Sequence, residues 1–104
     1  MRTAKVYVCG IEAGKLLEIK PGKEYRFEYN DGYTGLPVSL AMPISSKSFS
    51  FDHFPPFFDG LLPEGHQLEG LLKQSKVDRN DFFSQLIIVG NDTVGAVTVK
   101  EVSL

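Results

Sequence analysis

The residues of this 104-residue chain that could do chemistry gather in "DHFPPFFDGLLPEGHQLEG", residues 52–70. The segment holds both histidines, His53 and His66, with Asp59 and Glu64 between them. Paired carboxylates can serve as general acid and base, and histidines can hold a metal ion. The spacing supports neither use. The histidines stand thirteen positions apart with no cysteine nearby, outside metal-ligand spacing, and read as solvated or capping side chains. Asp59 and Glu64 lie five positions apart across a proline break and read as a solvated face. Ser45, Ser46, Ser48 and Ser50 have no G-x-S-x-G context for a nucleophile. "GNDTVGAV" (90–97) lacks the Gly-Lys-Ser/Thr ending of a phosphate loop and leads into a strand pattern, so Asn91 and Asp92 read as turn formers. With no catalytic constellation, the sequence predicts a protein that is not an enzyme and takes no metal or cofactor.

Composition narrows the alternatives to binding. An apolar content of 42% and a charged content of 23% suit a folded domain and argue against disorder. A net charge of −2, with acids and lysines interspersed, offers no basic footprint for direct nucleic-acid contact. No apolar run approaches the roughly 18 residues of a membrane span, and the N-terminus has no signal-peptide core. The lone Cys9 cannot form an internal disulfide, which fits a reducing compartment. The expectation is one soluble, cytoplasmic domain over residues 1–104, without repeat or linker.

The elements that must position these residues change period midway. "AKVYVC" (4–9) and "KLLEIK" (15–20) alternate, with Val6 and Val8 on one face and Leu17 and Ile19 likewise together. The glycines of "GIEAG" between them predict a hairpin reversal. "KPGK" has the type II turn signature and leads into "EYRFEY", the cleanest strand pattern, whose Tyr25, Phe27 and Tyr29 alternate with polar residues. "VSLAMP" predicts a short strand closed by Pro43. Phe54, Phe57, Phe58, Leu61 and Leu62 then fall at helical spacing, with Pro55 and Pro56 in the first turn and Asp52 or a neighbour as cap. Leu68, Leu71 and Leu72 predict a second short helix weakened by Gly70. A third is expected with Asp78 or Asn80 as cap, Phe82, Phe83, Leu86 and Ile87 inward, and Gly90 as stop. A last strand follows, with a bulge or bend near Gly95. The fold class is α+β: a small antiparallel sheet with two or three short helices inserted before the last strand.

Burying the five-residue stripe of 54–62 is worth about 10 kcal/mol, comparable with a small domain's whole stability, so it must be covered. Its simplest cover is the domain's own sheet. Asp59, Gly60 and Glu64 are left on the far side, and the "PEGH" turn is carried outward on a rigid support, where binding residues tend to sit.

Three segments, "PVSLAMPI" (37–44), "FPPFFDGLLPEGHQLEGLL" (54–72) and "DFFSQLIIVGNDTVGAVTV" (81–99), resemble the N-terminal subdomain of HipA-type serine/threonine kinases. There a strand ending S-x-x-M-P precedes F-F-D/E-x-L-L-P-E/D-G, and a later helix runs into G-x-D-x-x-G-A-V. The opening "VYVCGIEAGKLLEI" fits that subdomain's first hairpin, so the match covers nearly the whole chain. Two departures stand out. The arginine that often follows the L-L-P-E-G motif in full-length kinases is absent, the positions reading Gln67, Leu68 and Glu69, and the chain stops five residues after Val99, short of any kinase ATP site. The resemblance implies the subdomain without the kinase, as in the small HipS proteins of split HipBST toxin–antitoxin systems. That family's activity would make the chain an antitoxin that binds and restrains a HipT/HipA-type kinase. A HipB-like helix-turn-helix DNA-binding protein would join through the complex.

A subdomain freed from its kinase keeps the surface that once packed against it, and without a tether that surface needs intrinsic affinity. The expected surface is the 59–69 turn, comprising Asp59, Leu61, Glu64, Gly65, His66, Gln67 and Glu69, with His66 and Gln67 at its tip and Phe57 contributing. Two other readings stay open. The chain could be a non-catalytic piece of a full-length HipA-like kinase, or a small-ligand module built on Tyr25, Phe27, Tyr29 and Tyr33.

Overall fold

The computed structural model describes residues 2–90 and 96–102. Five strands form one antiparallel sheet: β1 (Arg2–Val8), β2 (Ile11–Lys20), β3 (Glu24–Tyr29), β4 (Ser48–Phe51) and β5 (Val97–Glu101), in spatial order β4-β3-β2-β1-β5. Three helices, α1 (Pro56–Asp59), α2 (Gly65–Ser75) and α3 (Phe82–Val89), are inserted before the last strand, so the architecture is α+β as the pattern predicts. A single 3₁₀ turn, Ile44–Ser46, precedes β4.

The sheet is one-sided. Ala4, Val6, Leu16, Phe27 and Val99 are buried together with Phe58 of α1 and Phe83 and Leu86 of α3. Paired positions on the other face include Lys5 opposite Lys15, Lys15 opposite Glu28, and Arg26 opposite Ser50. That polar face is the solvated side expected of an antiparallel sheet covered once.

β2 corrects the reading of its own parity. Leu16, not Leu17, enters the core, because register places it opposite Ala4 and Phe27, both buried. Leu17 and Ile19 do share a face, but Leu17 lies opposite Thr3 and Arg26 on the outer side. A bulge between Val6 and Tyr7 leaves Ala13 without a partner in β1, so Ala13 and Gly14 are both buried and simple alternation breaks there. The reversal is also tighter than "GIEAG" suggests. Cys9 (φ 51°) and Gly10 (φ 82°) form a two-residue turn that pairs Val8 with Ile11.

Other expectations change in the same way. "VSLAMP" is no strand: it keeps one bridge, Ser39 to Met42, around a turn whose Leu40 is 95% exposed. The fourth strand, "SFSF", lies just beyond it and is short enough to escape a periodicity reading. The 54–62 stripe is not one helix. α1 is a single turn, continued by tighter bonds from Leu61 N–H to Phe58 and from Leu62 N–H to Asp59. Pro55 occupies its N-cap without a side-chain hydrogen bond, and Asp52 instead meets His53. α3 is capped by Asp81, whose carboxylate accepts the Ser84 N–H, in place of Asp78 or Asn80. Phe83 and Leu86 are buried as expected, Phe82 and Ile87 pack on the core's margin, and Gln85 joins the buried set. Gly90 ends α3 in right-handed backbone: a Cβ there would stand 2.2 Å from the Val99 carbonyl oxygen, so close approach of β5 requires the glycine. The bulge expected near Gly95 lies outside the described residues.

Tyr25, Phe27 and Tyr29 are core residues packed edge-on to neighbours, with Phe27 and Tyr29 at 4.8 Å between centroids. The Tyr29 hydroxyl accepts the Val38 N–H at 2.9 Å and donates to the Met42 carbonyl, clamping the 38–42 turn to the sheet. Tyr29→Phe leaves both backbone groups without their partner in a buried setting. The expected cost is about 1–3 kcal/mol in denaturant unfolding, with faster amide exchange confined to residues 36–43. A loss below about 0.5 kcal/mol would show that other groups or water take over the clamp.

Candidate partner-binding surface

The turn that carries the candidate residues is held from below. Pro55 and Pro56 preset the backbone, the Asp59 N–H bonds to the Pro55 carbonyl at 3.0 Å, and the Gly60 N–H bonds to that of Pro56 at 3.1 Å. Phe58 inserts fully into the core beneath this turn. After Pro63 the chain extends through Glu64 (φ −129°, ψ 163°), and Gly65 (φ 58°) reverses it into α2. A left-handed first residue is what glycine permits without strain.

Asp59, Glu64, Gly65, His66, Gln67 and Glu69 are all exposed, while Leu61 is half-buried against the core. His66 and Gln67 sit in the first turn of α2, where a free turn tip was expected. Phe57 belongs to a different place: with Met42, Phe49 and Phe51 it lines a groove of about 400 Å³ beside edge strand β4. Residues 54–72 contain no lysine or arginine, so the surface of this segment is acidic. Glu69 forms an ion pair with Arg79, whereas Asp59 and Glu64 have none among the described residues.

The most connected polar cluster lies elsewhere and was missed by sequence reasoning. Arg2 donates from Nε to Glu18 Oε1 at 2.6 Å, and from Nη2 to Glu18 Oε2 at 2.9 Å and Asp81 Oδ1 at 2.8 Å. Its Nη1 donates to Ser84 Oγ at 2.6 Å, and the guanidinium lies 4.9 Å from the Phe83 ring centre. Glu18 is 3% exposed and also accepts from the Tyr25 hydroxyl at 3.4 Å. Hydrogen bonding to Glu18 raises the Arg2 pKa above its already high ordinary value, against a smaller opposing effect of burial. Burial pushes the Asp81 carboxyl up, but Arg2 and Ser84 outweigh it and hold the pKa below 3.8. Burial raises the Tyr25 hydroxyl pKa. Because Ser84 donates to Asp81 at 2.8 Å and no histidine is in the cluster, these contacts fasten α3 to the sheet instead of activating a nucleophile. The signal for this cluster was the β2 parity, which puts Glu18 on the core face opposite Arg2.

His53 is exposed and meets Asp52 at 2.6 Å, which lowers the Asp52 pKa. Among the described residues, no group of three or more His, Cys, Asp or Glu side chains is placed to hold a metal ion. Nor is any helix among them long and apolar enough to cross a membrane.

Comparison with known proteins adds three findings. The family model described as the HipA N-terminal domain matches residues 4–100. An uncharacterized protein of Haemophilus influenzae is 35% identical over 101 residues, spanning 97% of this chain and 93% of its own length. A solved N-terminal domain of HipA toxin superimposes with a TM-score of 0.77 at 31% identity, covering 99% of this chain and 94% of that one.

Proposed function

Because the chain belongs to the HipA N-terminal domain family, we propose that it is an antitoxin that binds and restrains a HipT/HipA-type serine/threonine kinase. The observation that carries this reading is the correspondence with a HipA N-terminal domain over 99% of this chain and 94% of that one. A domain of this family supplied separately acts by occupying the place its tethered counterpart would hold against the kinase. Exposure of Asp59 and Glu64 on a turn fastened through Phe58, and of Gly65, His66 and Gln67 in the helical turn that follows, supports putting the contact there. A HipB-like DNA-binding protein would join through the kinase. A second reading, the non-catalytic subdomain of a longer HipA-like kinase, is favoured by the match to a domain of a HipA toxin. Both readings use the same surface; they differ in whether the domain acts when supplied in trans.

Co-expression with a HipT/HipA-type kinase tests the proposal through growth rescue and co-purification together. Joint alanine substitution at Glu64, His66 and Gln67 is expected to weaken kinase binding at least about tenfold, leaving the melting temperature within a few degrees because all three are exposed. Unchanged affinity in that variant would move the contact elsewhere. No rescue and no co-purification by the wild type would refute the antitoxin role.

A further inference from the structure

α2 is a helix that the described residues do little to hold. At eleven residues it is marginal on its own, Gly70 lowers its propensity, and Glu64 makes no side-chain cap at its start. Helices of this kind depend on tertiary packing, yet no residue of α2 is buried. Leu68, Leu71 and Leu72 lie at i, i+3 and i+4 on one face, and none belongs to the partly buried apolar residues packed against the core. Among the described residues Asp59 and Glu64 form no ion pair, and residues 54–72 hold no lysine or arginine.

We propose that the leucine face of α2 seats in an apolar groove of the kinase, whose rim is basic where it meets the 59–65 turn. The inference rests on the antitoxin reading and says what kind of surface that partner presents. Two observations select this occupant. One is charge: Asp59 at the end of α1 and Glu64 at the N-cap of α2 have no ion-pair partner among the described residues, and a basic rim supplies one. The other is area. A helix of this length spans about 16 Å, and three half-covered leucines meeting their copies fall far below the roughly 800 Å² per partner of a stable interface. A groove wraps both flanks of the helix and continues onto the turn.

The test uses the whole chain and the co-purified kinase. Leu71→Asp is expected to weaken binding about 100-fold, as removal of a central apolar contact does. In the wild type, amides of 66–75 exchange more slowly in the complex than in the free chain, a readout that stands even if the variant folds poorly. Affinity falls as salt rises, and Asp59→Asn with Glu64→Gln flattens that dependence. The inference is overturned if the wild type binds while Leu71→Asp stays within threefold and α2 exchange is unchanged. It is overturned equally if α2 is protected in the free chain by a dimer that sediments as such and that Leu71→Asp dissolves. A wild type that ignores the kinase overturns the antitoxin reading, and this inference with it.

Discussion

Alanine at Phe58 is expected to remove about 3–5 kcal/mol, a large part of the 5–15 kcal/mol that keeps a small domain folded. Phe58 is the one buried residue of α1. Its ring lies 5.9 Å from Phe27 and 5.2 Å from Phe57, so truncation leaves a cavity between the sheet and the helical layer. α1 cannot compensate, being one turn with a proline cap and no side-chain hydrogen bond. The loss should appear as a lower denaturant midpoint at unchanged slope. Because Phe58 also fastens the turn that leads to Glu64, the proposed kinase binding should fall although Phe58 is itself inaccessible. Phe57→Ala, at a half-buried position, is the control and should cost about half as much or less. A Phe58→Ala loss under about 1 kcal/mol would show that the helical layer collapses onto the sheet without it.

Arg2→Ala is the second large effect. It strands the Glu18 carboxylate, 3% exposed, with only the longer Tyr25 contact among the described residues. Breaking a buried pair costs about 3–5 kcal/mol; Arg2 itself is 41% exposed, so screening brings the expectation to about 2–4 kcal/mol. Replacing Arg2 and Glu18 together by leucine should recover most of that, since what destabilises is the unpartnered charge and not the absent bridge. The pH dependence has a definite sign. The Asp81 pKa is held below 3.8 in the folded chain, so its contribution is present above that value and is lost as pH falls through the folded pKa. Arg2 stays protonated throughout. The gap between wild type and Arg2→Ala should therefore be widest near neutrality and narrow in acid unfolding below about pH 4. A gap that widens on acidification would contradict the assignment.

Both predictions turn on residues whose importance was unevenly visible in the chain. Phe58 was legible, because its spacing with Phe54 and Leu61 marks a covered stripe and the two prolines are compatible with a helical first turn. The stripe's length was not: Gly60 and Pro63 let tertiary packing break it into one α-turn and 3₁₀ turns. Glu18 was hidden by two adjacent leucines, either of which could have faced the core. The position of the candidate turn was legible from Pro63, Glu64 and Gly65, whereas the separation of Phe57 into the β4 groove was not.

The amino-acid order by itself determined the antiparallel sheet, the late helical insertion and the outward turn, because each follows from side-chain periodicity and from the backbone preferences of glycine and proline. It also carried the family, through motifs whose order and spacing survive without any fold. Only the tertiary structure decided the parity of β2, the Arg2–Glu18–Asp81 fastening and the half-covered leucine face of α2. Those depend on which residues far apart in the chain are brought opposite one another. Register and burial are properties of such pairs, and no local pattern contains them.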